Sequence, residues 1–280
     1  MSVNLRDAQK RGGPMEAEWR GKWALVTGAS AGIGKALAEE LAANGAHLLL
    51  TARRKERLEE LAQRLSEKHK IKTEVFVADL AEPSAPEKIF AFSKVKGIEV
   101  ELLINNAGFG VYGELSGAEI HRLLEMVQVN CSAVVHLTRL YLPEMMARRR
   151  GDVLILSSTA AFQSVPYIST YAATKAFDLL FAEGLAEEMK PHGIRVCALC
   201  PGSTESEFHE VAGQTHLASA ARSKETAEKV ARVGLRALAA GKSYVISGAG
   251  NYWGAQLQRL VPRRFVTRTV ARMFRPKTQR

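Results

Sequence analysis

The chain has 280 residues, of which 46% are apolar and 24% are charged, values typical of a globular protein. This composition excludes a disordered polymer, a collagen-like chain and a small disulfide scaffold. The formal charge is +10, but residues 251–280 carry eight Lys or Arg and no acid, which leaves 31 basic and 29 acidic side chains in the first 250 residues. The main body is therefore close to neutral, which argues against nucleic acid as a partner.

Short apolar runs alternate with helical patterns from Trp23 onward, after a charged segment, residues 1–20, that we expect to be a flexible leader. The seven predicted strands are Trp23–Thr27, His47–Thr51, Glu74–Ala78, Glu101–Asn105, Asp152–Ser157, Ile194–Leu199 and Tyr244–Ser247. The predicted helices are Lys35–Asn44, Arg53–Lys68, Glu119–Arg150 and Ser169–Lys190. The alternation predicts a single α/β domain over residues 21–250, a doubly wound parallel sheet of the Rossmann type with helices on both faces.

Cys197 and Cys200 form a C-x-x-C pair inside a predicted strand. Side chains three residues apart on a strand point to opposite faces, so we expect two buried structural thiols rather than a metal site or a disulfide. The histidines show no metal-ligand spacing, and no metal is predicted. Few cysteines fit a reducing compartment, and we expect a cytoplasmic protein.

A glycine-rich segment follows the first predicted strand and opens a helix, reading Thr-Gly-Ala-Ser-Ala-Gly-Ile-Gly over residues 27–34. Glycines let the backbone approach a pyrophosphate closely, and the helix N-terminus supplies N–H groups and a positive dipole end. The strand before and the helix after the segment favour a dinucleotide-binding loop over an ordinary turn. The candidate contacts are Gly28, Ser30, Ala31, Gly32, Ile33 and Gly34.

Arg53 and Arg54 follow the second strand, where a site for NAD usually carries an acid that binds the ribose hydroxyls. Guanidinium groups suit the additional 2′-phosphate of NADP(H), which we therefore predict as the cofactor, although a solvated arginine pair is the alternative. Asp79, after the third strand, could accept a hydrogen bond from the adenine amino group with Leu80 lining the ring. A simple capping role for Asp79 is equally open.

Tyr171 and Lys175 are four residues apart in a predicted helix and so share one face. A lysine ammonium stabilises a nearby phenolate, which lowers the tyrosine pKa from about 10 and lets the side chain exchange a proton with a carbonyl oxygen. Ser158 follows a strand and could hydrogen-bond the same carbonyl.

Together these features resemble the short-chain dehydrogenase/reductase family, over roughly Trp23 to Gly248. The motifs that carry the resemblance are residues 27–34, Asp79-Leu80, Asn105-Asn106-Ala107-Gly108, Asn130, Ser157-Ser158, Tyr171-x3-Lys175 and Pro201-Gly202. Arg53 and Arg54 resemble the NADP-preferring branch of that family.

The resemblance implies four catalytic residues. Tyr171 would be the general acid in reduction or the base in oxidation. Lys175 would hold the nicotinamide ribose and tune Tyr171, and Ser158 would orient the substrate carbonyl. Asn130 would hold a water molecule that links Lys175 to solvent.

The resemblance also implies further cofactor contacts, namely Asn106, Ala107, Gly108, Pro201, Gly202 and Thr204, besides Asn130, Tyr171 and Lys175. Thr204 falls one place early relative to the family pattern, so Ser206 is an alternative carboxamide contact. Tyr167 and His209 are open between the substrate pocket and a surface or packing role.

Residues 251–280 predict a basic amphipathic C-terminal extension, broken at Pro262. Three interpretations stay open. The apolar stripe packs on the substrate pocket or a partner subunit, or lies on an anionic membrane surface, or binds an acidic partner such as an acyl carrier protein. Peripheral membrane association is therefore one possible addition to a cytoplasmic location.

We predict an NADP(H)-dependent oxidoreductase that transfers hydride between the nicotinamide and a small-molecule carbonyl or secondary alcohol, with Tyr171 as general acid/base. The alternatives are a 3-oxoacyl thioester reductase acting on acyl-carrier or CoA substrates, and an NADP(H)-binding sensor without turnover. The resemblance further implies a homodimer or homotetramer, which the apolar residues within Leu123–Leu142 and Phe177–Leu185 allow.

Overall fold

A single seven-stranded parallel sheet organises the protein, whose computed structural model describes residues 18–205 and 225–276. The strand order is β3-β2-β1-β4-β5-β6-β7, so the order reverses between β1 and β4. The strands are β1 (Trp23–Thr27), β2 (His47–Ala52), β3 (Thr73–Val77), β4 (Val100–Asn105), β5 (Gly151–Leu156), β6 (Ile194–Cys200) and β7 (Tyr244–Ile246). All seven predicted strands are confirmed, and the switch point in the strand order is where ligands bind in such sheets.

Nine α-helices connect or follow the strands within the described residues. They are α1 (Gly32–Ala43), α2 (Lys55–His69), α3 (Ala85–Val95), α4 (Ile120–Val127), α5 (Ala133–Ala147), α6 (Ser169–Met189), α7 (Ala227–Ala239), α8 (Ala249–Leu257) and α9 (Arg263–Phe274). The predicted helix Glu119–Arg150 is divided, because a π-helical segment at Gln128–Ser132 interrupts the α-helical repeat between α4 and α5. The sequence patterns did not reveal α3 and α7.

Both faces of the sheet are buried, which explains the continuous apolar runs of its strands. One core cluster contains Val26 and Cys197, and the other, across the sheet, contains Leu25 and Cys200. The two cysteines are therefore buried on opposite faces as predicted, and both thiols are free. Burial raises the pKa of each thiol to about 12, which makes them structural rather than reactive groups.

The predicted leader 1–20 is too long by at least three residues, because Trp19 belongs to the core with 1% exposure. Its indole Nε1 donates a hydrogen bond of 2.8 Å to Asp152 Oδ2. Arg195 joins the same network through Asp152, at 2.6 Å, and through Glu18, also at 2.6 Å. This partly buried network ties Glu18 and Trp19 to β5 and β6, whereas residues 1–17 lie outside the described part of the chain.

The C-terminal extension continues directly from β7 and forms two helices, as its amphipathic pattern and Pro262 predict. A short 3₁₀ segment, Gln258–Leu260, ends α8, and α9 begins just after Pro262. Val270 of α9 is buried, and Val266 and Phe274 pack beside it against Leu123 and Ile168. No helix among residues 18–205 and 225–276 is both long and apolar enough to cross a membrane.

Candidate active site

A cleft of about 460 Å³ opens at the carboxyl ends of the central strands. Every predicted site residue lines it except Asn130. The phosphate-loop residues and both arginines lie at one end, and Ser158, Tyr171 and Lys175 lie at the other. Ser206 and His209, the two candidates from the segment after β6, lie outside the described residues.

The glycines of the phosphate loop are required by close backbone approach as well as by conformation. Gly28 and Gly32 have φ values of +66° and +54°, a region that side chains disfavour. A Cβ at Gly28 would lie 2.9 Å from the Ala107 Cα, and one at Gly34 would collide with the Gly28 carbonyl. The loop therefore leaves an open cradle at the start of α1 that added methyl groups would disrupt.

Thr27 and Asn106 join the phosphate loop to the end of β4. The Thr27 hydroxyl donates to the Ile104 carbonyl at 3.1 Å and accepts from the Asn106 and Ala107 amides at 2.9 and 3.0 Å. The side-chain amide of Asn106 in turn donates from Nδ2 to the Thr27 carbonyl at 2.8 Å. These buried bonds fix the spacing of β1 and β4 at the cleft, which is the supporting part of the role implied for Asn106.

The two arginines after β2 have different partners. Half-buried Arg54 donates from Nε and Nη2 to the Ser30 hydroxyl, at 3.2 and 3.1 Å. Arg53 is exposed and lies 3.7 Å from Asp79 Oδ2. Asp79 Oδ1 accepts from the Ala81 amide at 3.0 Å, so the capping role of Asp79 is present in the structure.

Asn130 is fully buried behind Gly108 and does not reach the cleft surface. Its amide donates to the Phe109 carbonyl and to Thr174 Oγ1, both at 3.0 Å, and its Oδ1 accepts from the Phe109 amide at 3.1 Å. The side chain therefore ties the segment after β4 to α6. The water relay implied for Asn130 stays a prediction.

Tyr171 and Ser158 converge on one point of the cleft, where their hydroxyls are hydrogen-bonded. The Ser158 oxygen also accepts from the Ala160 amide at 3.1 Å, which fixes its position at the start of a 3₁₀ turn. Lys175 lies one turn along α6, with Nζ 5.9 Å from the centre of the Tyr171 ring. A carbonyl oxygen placed between the two hydroxyls would meet two hydrogen-bond donors.

Lys175 does act to lower the Tyr171 pKa as predicted, but the expected net lowering is wrong. Burial raises the Tyr171 pKa above its usual value, and this effect outweighs the opposing influences of the Lys175 charge and the Ser158 hydrogen bond. The nearby Asp178 carboxylate raises it further. Tyr171 is therefore a protonated phenol at neutral pH, the form that donates a proton.

Asp178 is a site component that the sequence patterns missed. Its Oδ2 lies 2.9 Å from Lys175 Nζ, and the side chains are 1% and 5% exposed, respectively. Lys175 Nζ also donates to the Leu156 carbonyl at 2.7 Å. Burial raises the pKa of Asp178 to about 6 against the influence of Lys175, whereas Asp178 raises the pKa of Lys175. The i, i+3 spacing of the two residues was the available signal.

Apolar side chains line part of the substrate end of the cleft, and the C-terminal helix contributes one of them. Phe109, Ile168 and Phe274 line it. The Tyr112 hydroxyl donates to the Phe274 carbonyl at 2.7 Å, and Gln258 Nε2 donates to the Phe162 carbonyl at 3.1 Å. In the structure α9 thus packs beside the cleft, whereas contacts of the extension with a partner subunit, a membrane or an acidic protein stay predictions.

Of two further candidate site residues, Thr204 lies at the cleft and Tyr167 does not. Thr204 is buried at the cleft, where its hydroxyl donates to the Gly202 carbonyl at 3.1 Å. Tyr167 lines a neighbouring cavity of about 240 Å³ rather than the cleft, and its hydroxyl accepts from Arg275 Nε at 3.3 Å. Tyr167 also adopts a positive φ of 69°, and its carbonyl accepts a hydrogen bond from the Gly113 amide at 2.8 Å.

The residues present fit a dinucleotide. The glycine loop at the N-terminus of α1 suits a pyrophosphate, because a helix N-terminus presents N–H groups, and a Cβ at Gly28 or Gly34 would collide with Asn106, Ala107 or Gly28 and distort that loop. Arg54, hydrogen-bonded to Ser30 of the loop, provides a cation after β2, the strand whose end usually carries the group that binds the adenosine ribose in such folds. The opposite end holds the hydroxyl pair of Ser158 and Tyr171.

Comparison with known proteins gives one family. A family model described as short chain dehydrogenase matches residues 22–217. Among curated proteins, the very-long-chain 3-oxoacyl-CoA reductase-B of Danio rerio is 37% identical over 194 residues, 68% of this chain and 62% of its own length. The very-long-chain 3-oxoacyl-CoA reductase of Bos taurus is 36% identical over 187 residues, 65% of this chain and 59% of its own length. The chain thus spans about three-fifths of these relatives.

Solved structures match over almost the whole chain. A short-chain dehydrogenase from Sphingobium yanoikuyae in complex with NADPH superposes with a TM-score of 0.78 at 27% identity, covering 92% of this chain and 98% of its own. A 7beta-hydroxysteroid dehydrogenase gives a TM-score of 0.82 at 26% identity, covering 91% and 98%.

Proposed function

Because this chain belongs to the short-chain dehydrogenase family, we propose that it is an NADP(H)-dependent oxidoreductase acting on carbonyl or secondary alcohol groups. The observation that carries the proposal is the convergence of Tyr171, Ser158 and Lys175 at one end of a cleft whose other end is a glycine cradle with Arg54 beside it. The Sphingobium structure with NADPH supports the choice of cofactor.

The chain's own residues would bind, orient and protonate. The bound nicotinamide supplies the hydride in reduction. Ser158 orients the carbonyl oxygen by donating a hydrogen bond from its hydroxyl. The hydroxyl oxygen can accept from the Ala160 amide at the same time. Tyr171 donates the proton to the oxygen as the carbon is reduced, and Lys175 stabilises the phenolate that remains.

A 3-oxoacyl thioester is our second candidate for the substrate. The curated relatives described above are very-long-chain 3-oxoacyl-CoA reductases, and the apolar lining by Phe109, Ile168 and Phe274 suits an acyl chain. The 3-oxo group would occupy the same point between Ser158 and Tyr171. A chain-length series of 3-oxoacyl thioesters separates this candidate from a general carbonyl reductase.

The test is NADPH consumption, with NADH in parallel, over aldehydes, ketones, quinones and 3-oxoacyl thioesters. We expect turnover with NADPH that falls by about 10²- to 10⁴-fold in Tyr171→Phe, which removes the proton donor and keeps the ring. Cofactor binding, followed by NADPH fluorescence, should survive in that variant. Binding of NADPH without turnover of any substrate would instead support a cofactor sensor.

We also propose a homodimer or homotetramer in the cytoplasm. Large apolar side chains are exposed on the α4–α6 surface, among them Leu124 and Leu180 at 61% and 69%. Three free cysteines support the reducing compartment. Light scattering should report an oligomer that Leu180→Arg disrupts and that Val95→Arg, at a still more exposed position on α3, leaves intact. A monomeric wild-type chain would contradict this proposal.

A further inference from the structure

The C-terminal helices have a second face that their packing on the cleft does not use. Val266, Val270 and Phe274 face inward at four-residue spacing. Arg264, Arg268 and Arg272 follow the same spacing and are exposed, so they form one outward stripe of α9. Residues 249–276 contain no acid, and no carboxylate in the described part of the chain pairs with the exposed arginines of α9.

Large apolar side chains flank this arginine stripe. Phe265 and Met273 lie on one side of it and are 63% and 67% exposed, and the preceding turn and α8 add further exposed apolar groups. These are Tyr252, Trp253, Leu257, Leu260 and Val261. An exposed surface that combines arginines with aromatic and aliphatic side chains is typical of helices that lie in the interface of an anionic bilayer.

We propose that α8 and α9 dock the protein on an anionic lipid surface. The arginine stripe would contact lipid phosphates, and Trp253, Phe265 and Met273 would enter the interface. Charge argues against a second copy of the chain as the occupant, because a two-fold contact would oppose arginine to arginine.

Two hydrogen bonds connect the docking surface to the substrate end of the cleft. The Tyr112–Phe274 and Gln258–Phe162 hydrogen bonds hold α8 and α9 against the segments that follow β4 and β5. A chain docked in this way would open its apolar cleft end close to the lipid. An apolar carbonyl substrate dissolved in the bilayer could then enter without crossing water.

The test is co-sedimentation of the full chain with vesicles made of equal parts phosphatidylglycerol and phosphatidylcholine, compared with pure phosphatidylcholine. We expect binding to the anionic vesicles only, decreasing steeply with salt. Changing Arg264, Arg268 and Arg272 together to Glu should weaken binding on the order of 100-fold. The matched control changes Lys68, Lys88 and Lys242 to Glu, which alters the net charge equally on other faces and should have a much smaller effect.

Tryptophan fluorescence gives an independent readout that does not depend on turnover. Trp19 is buried and Trp23 is partly buried, so Trp253 is the exposed indole. Anionic vesicles should shift its emission to the blue, and Trp253→Phe should abolish the shift. Absence of binding to anionic vesicles at low salt overturns the proposal, and so does binding that ignores the arginines. An acidic protein that binds the stripe when vesicles do not would identify the other occupant.

A separate observation concerns the buried pair of Lys175 and Asp178. Asp178 lies on the side of Lys175 away from the cleft and does not line it. The other titratable groups near the pair are Tyr171 and the thiols of Cys131 and Cys200, which burial keeps neutral. The Lys175 ammonium is thus partly neutralised from behind, and less of its charge acts on Tyr171.

We infer that Asp178 is a positioning residue that holds the Lys175 ammonium and offsets its charge, so that Tyr171 stays protonated for donation. This inference rests on the proposed role of Tyr171. A titration of tyrosinate absorbance, with Tyr171→Phe as the background, tests it without any substrate. Its failure is therefore distinguishable from failure of the proposed activity.

In Asp178→Asn the titration of Tyr171 should move to lower pH by about one unit or more, because Lys175 then acts alone. Asp178→Glu should restore the wild-type titration. If Asp178→Asn does not fold, Asp178→Ser, a smaller neutral side chain, replaces it in the same titration. A Tyr171 titration that the neutral variant leaves unmoved or raises overturns the inference.

Discussion

The two ends of the cleft are built in different ways. At the phosphate end, the contacts connect elements that are neighbours in the sheet, such as Arg54 with Ser30, which are 24 residues apart, and Asn106 with Thr27, which are 79 residues apart. At the substrate end, Tyr112 is bonded to Phe274 across 162 residues, and Phe274 belongs to an extension beyond the last strand. The first end is therefore part of the sheet itself, whereas the second is an addition that can vary without altering the fold.

The largest effect should come from filling the cradle at the phosphate end. In Gly34→Ala the new methyl group collides with the Gly28 carbonyl and the Asn106 amide, and backbone atoms cannot move aside as a flexible side chain would. We expect NADPH to bind about 100-fold more weakly, because overpacking of this kind costs roughly 3 kcal/mol. Fluorescence titration of NADPH measures the change.

The control for that substitution is Gly184→Ala in α6, where a Cβ meets nothing within 4 Å. It should leave NADPH binding unchanged and raise stability by about 0.5–1 kcal/mol, because alanine favours the helix. Equal loss of NADPH affinity in both variants would show that the cradle is not where the cofactor binds.

The next largest effect concerns the choice between the two cofactors. Arg54→Ala should raise the KM for NADPH about 10- to 100-fold, the value of a lost charge-assisted hydrogen bond to a phosphate, and leave the KM for NADH almost unchanged. Arg53→Ala should have a smaller effect, because Arg53 is exposed and pairs loosely with Asp79. Equal increases for both cofactors would mean that Arg54 shapes the loop through Ser30 instead of binding a phosphate.

The difference between the two ends also explains what the sequence could predict. The alternation of apolar runs and glycine stops predicted the sheet, and the residues after each strand predicted most of the cleft, because strand ends meet at one edge. Asn130 was assigned to the cleft by resemblance, although its side chain is used to join Phe109 to Thr174. Asp178 was missed because a carboxylate three residues after a lysine is common on solvent-exposed helix faces, and only its burial beside Lys175 gives it a role.

The smallest predicted effect tests whether the substrate end is independent of the phosphate end. Phe274→Ala removes one apolar wall of the cleft but leaves the backbone bond from Tyr112, which uses the carbonyl. Because Phe274 is only partly buried, the free energy of unfolding should fall by no more than about 2 kcal/mol, less than for a fully buried phenylalanine. The KM for an apolar carbonyl substrate should rise several-fold, about 10-fold at most, for the loss of that contact area.

The NADPH dissociation constant should meanwhile stay within about twofold in Phe274→Ala, since no contact at the glycine cradle changes. Steady-state kinetics with an apolar and a small polar carbonyl, together with NADPH titration, separates the two ends. A weaker NADPH complex in this variant would mean that α9 closes over the cofactor as well as the substrate. The extension would then be part of the cofactor site. The distinction between a phosphate end formed by the sheet and a substrate end that includes the added helix α9 would not hold for this chain.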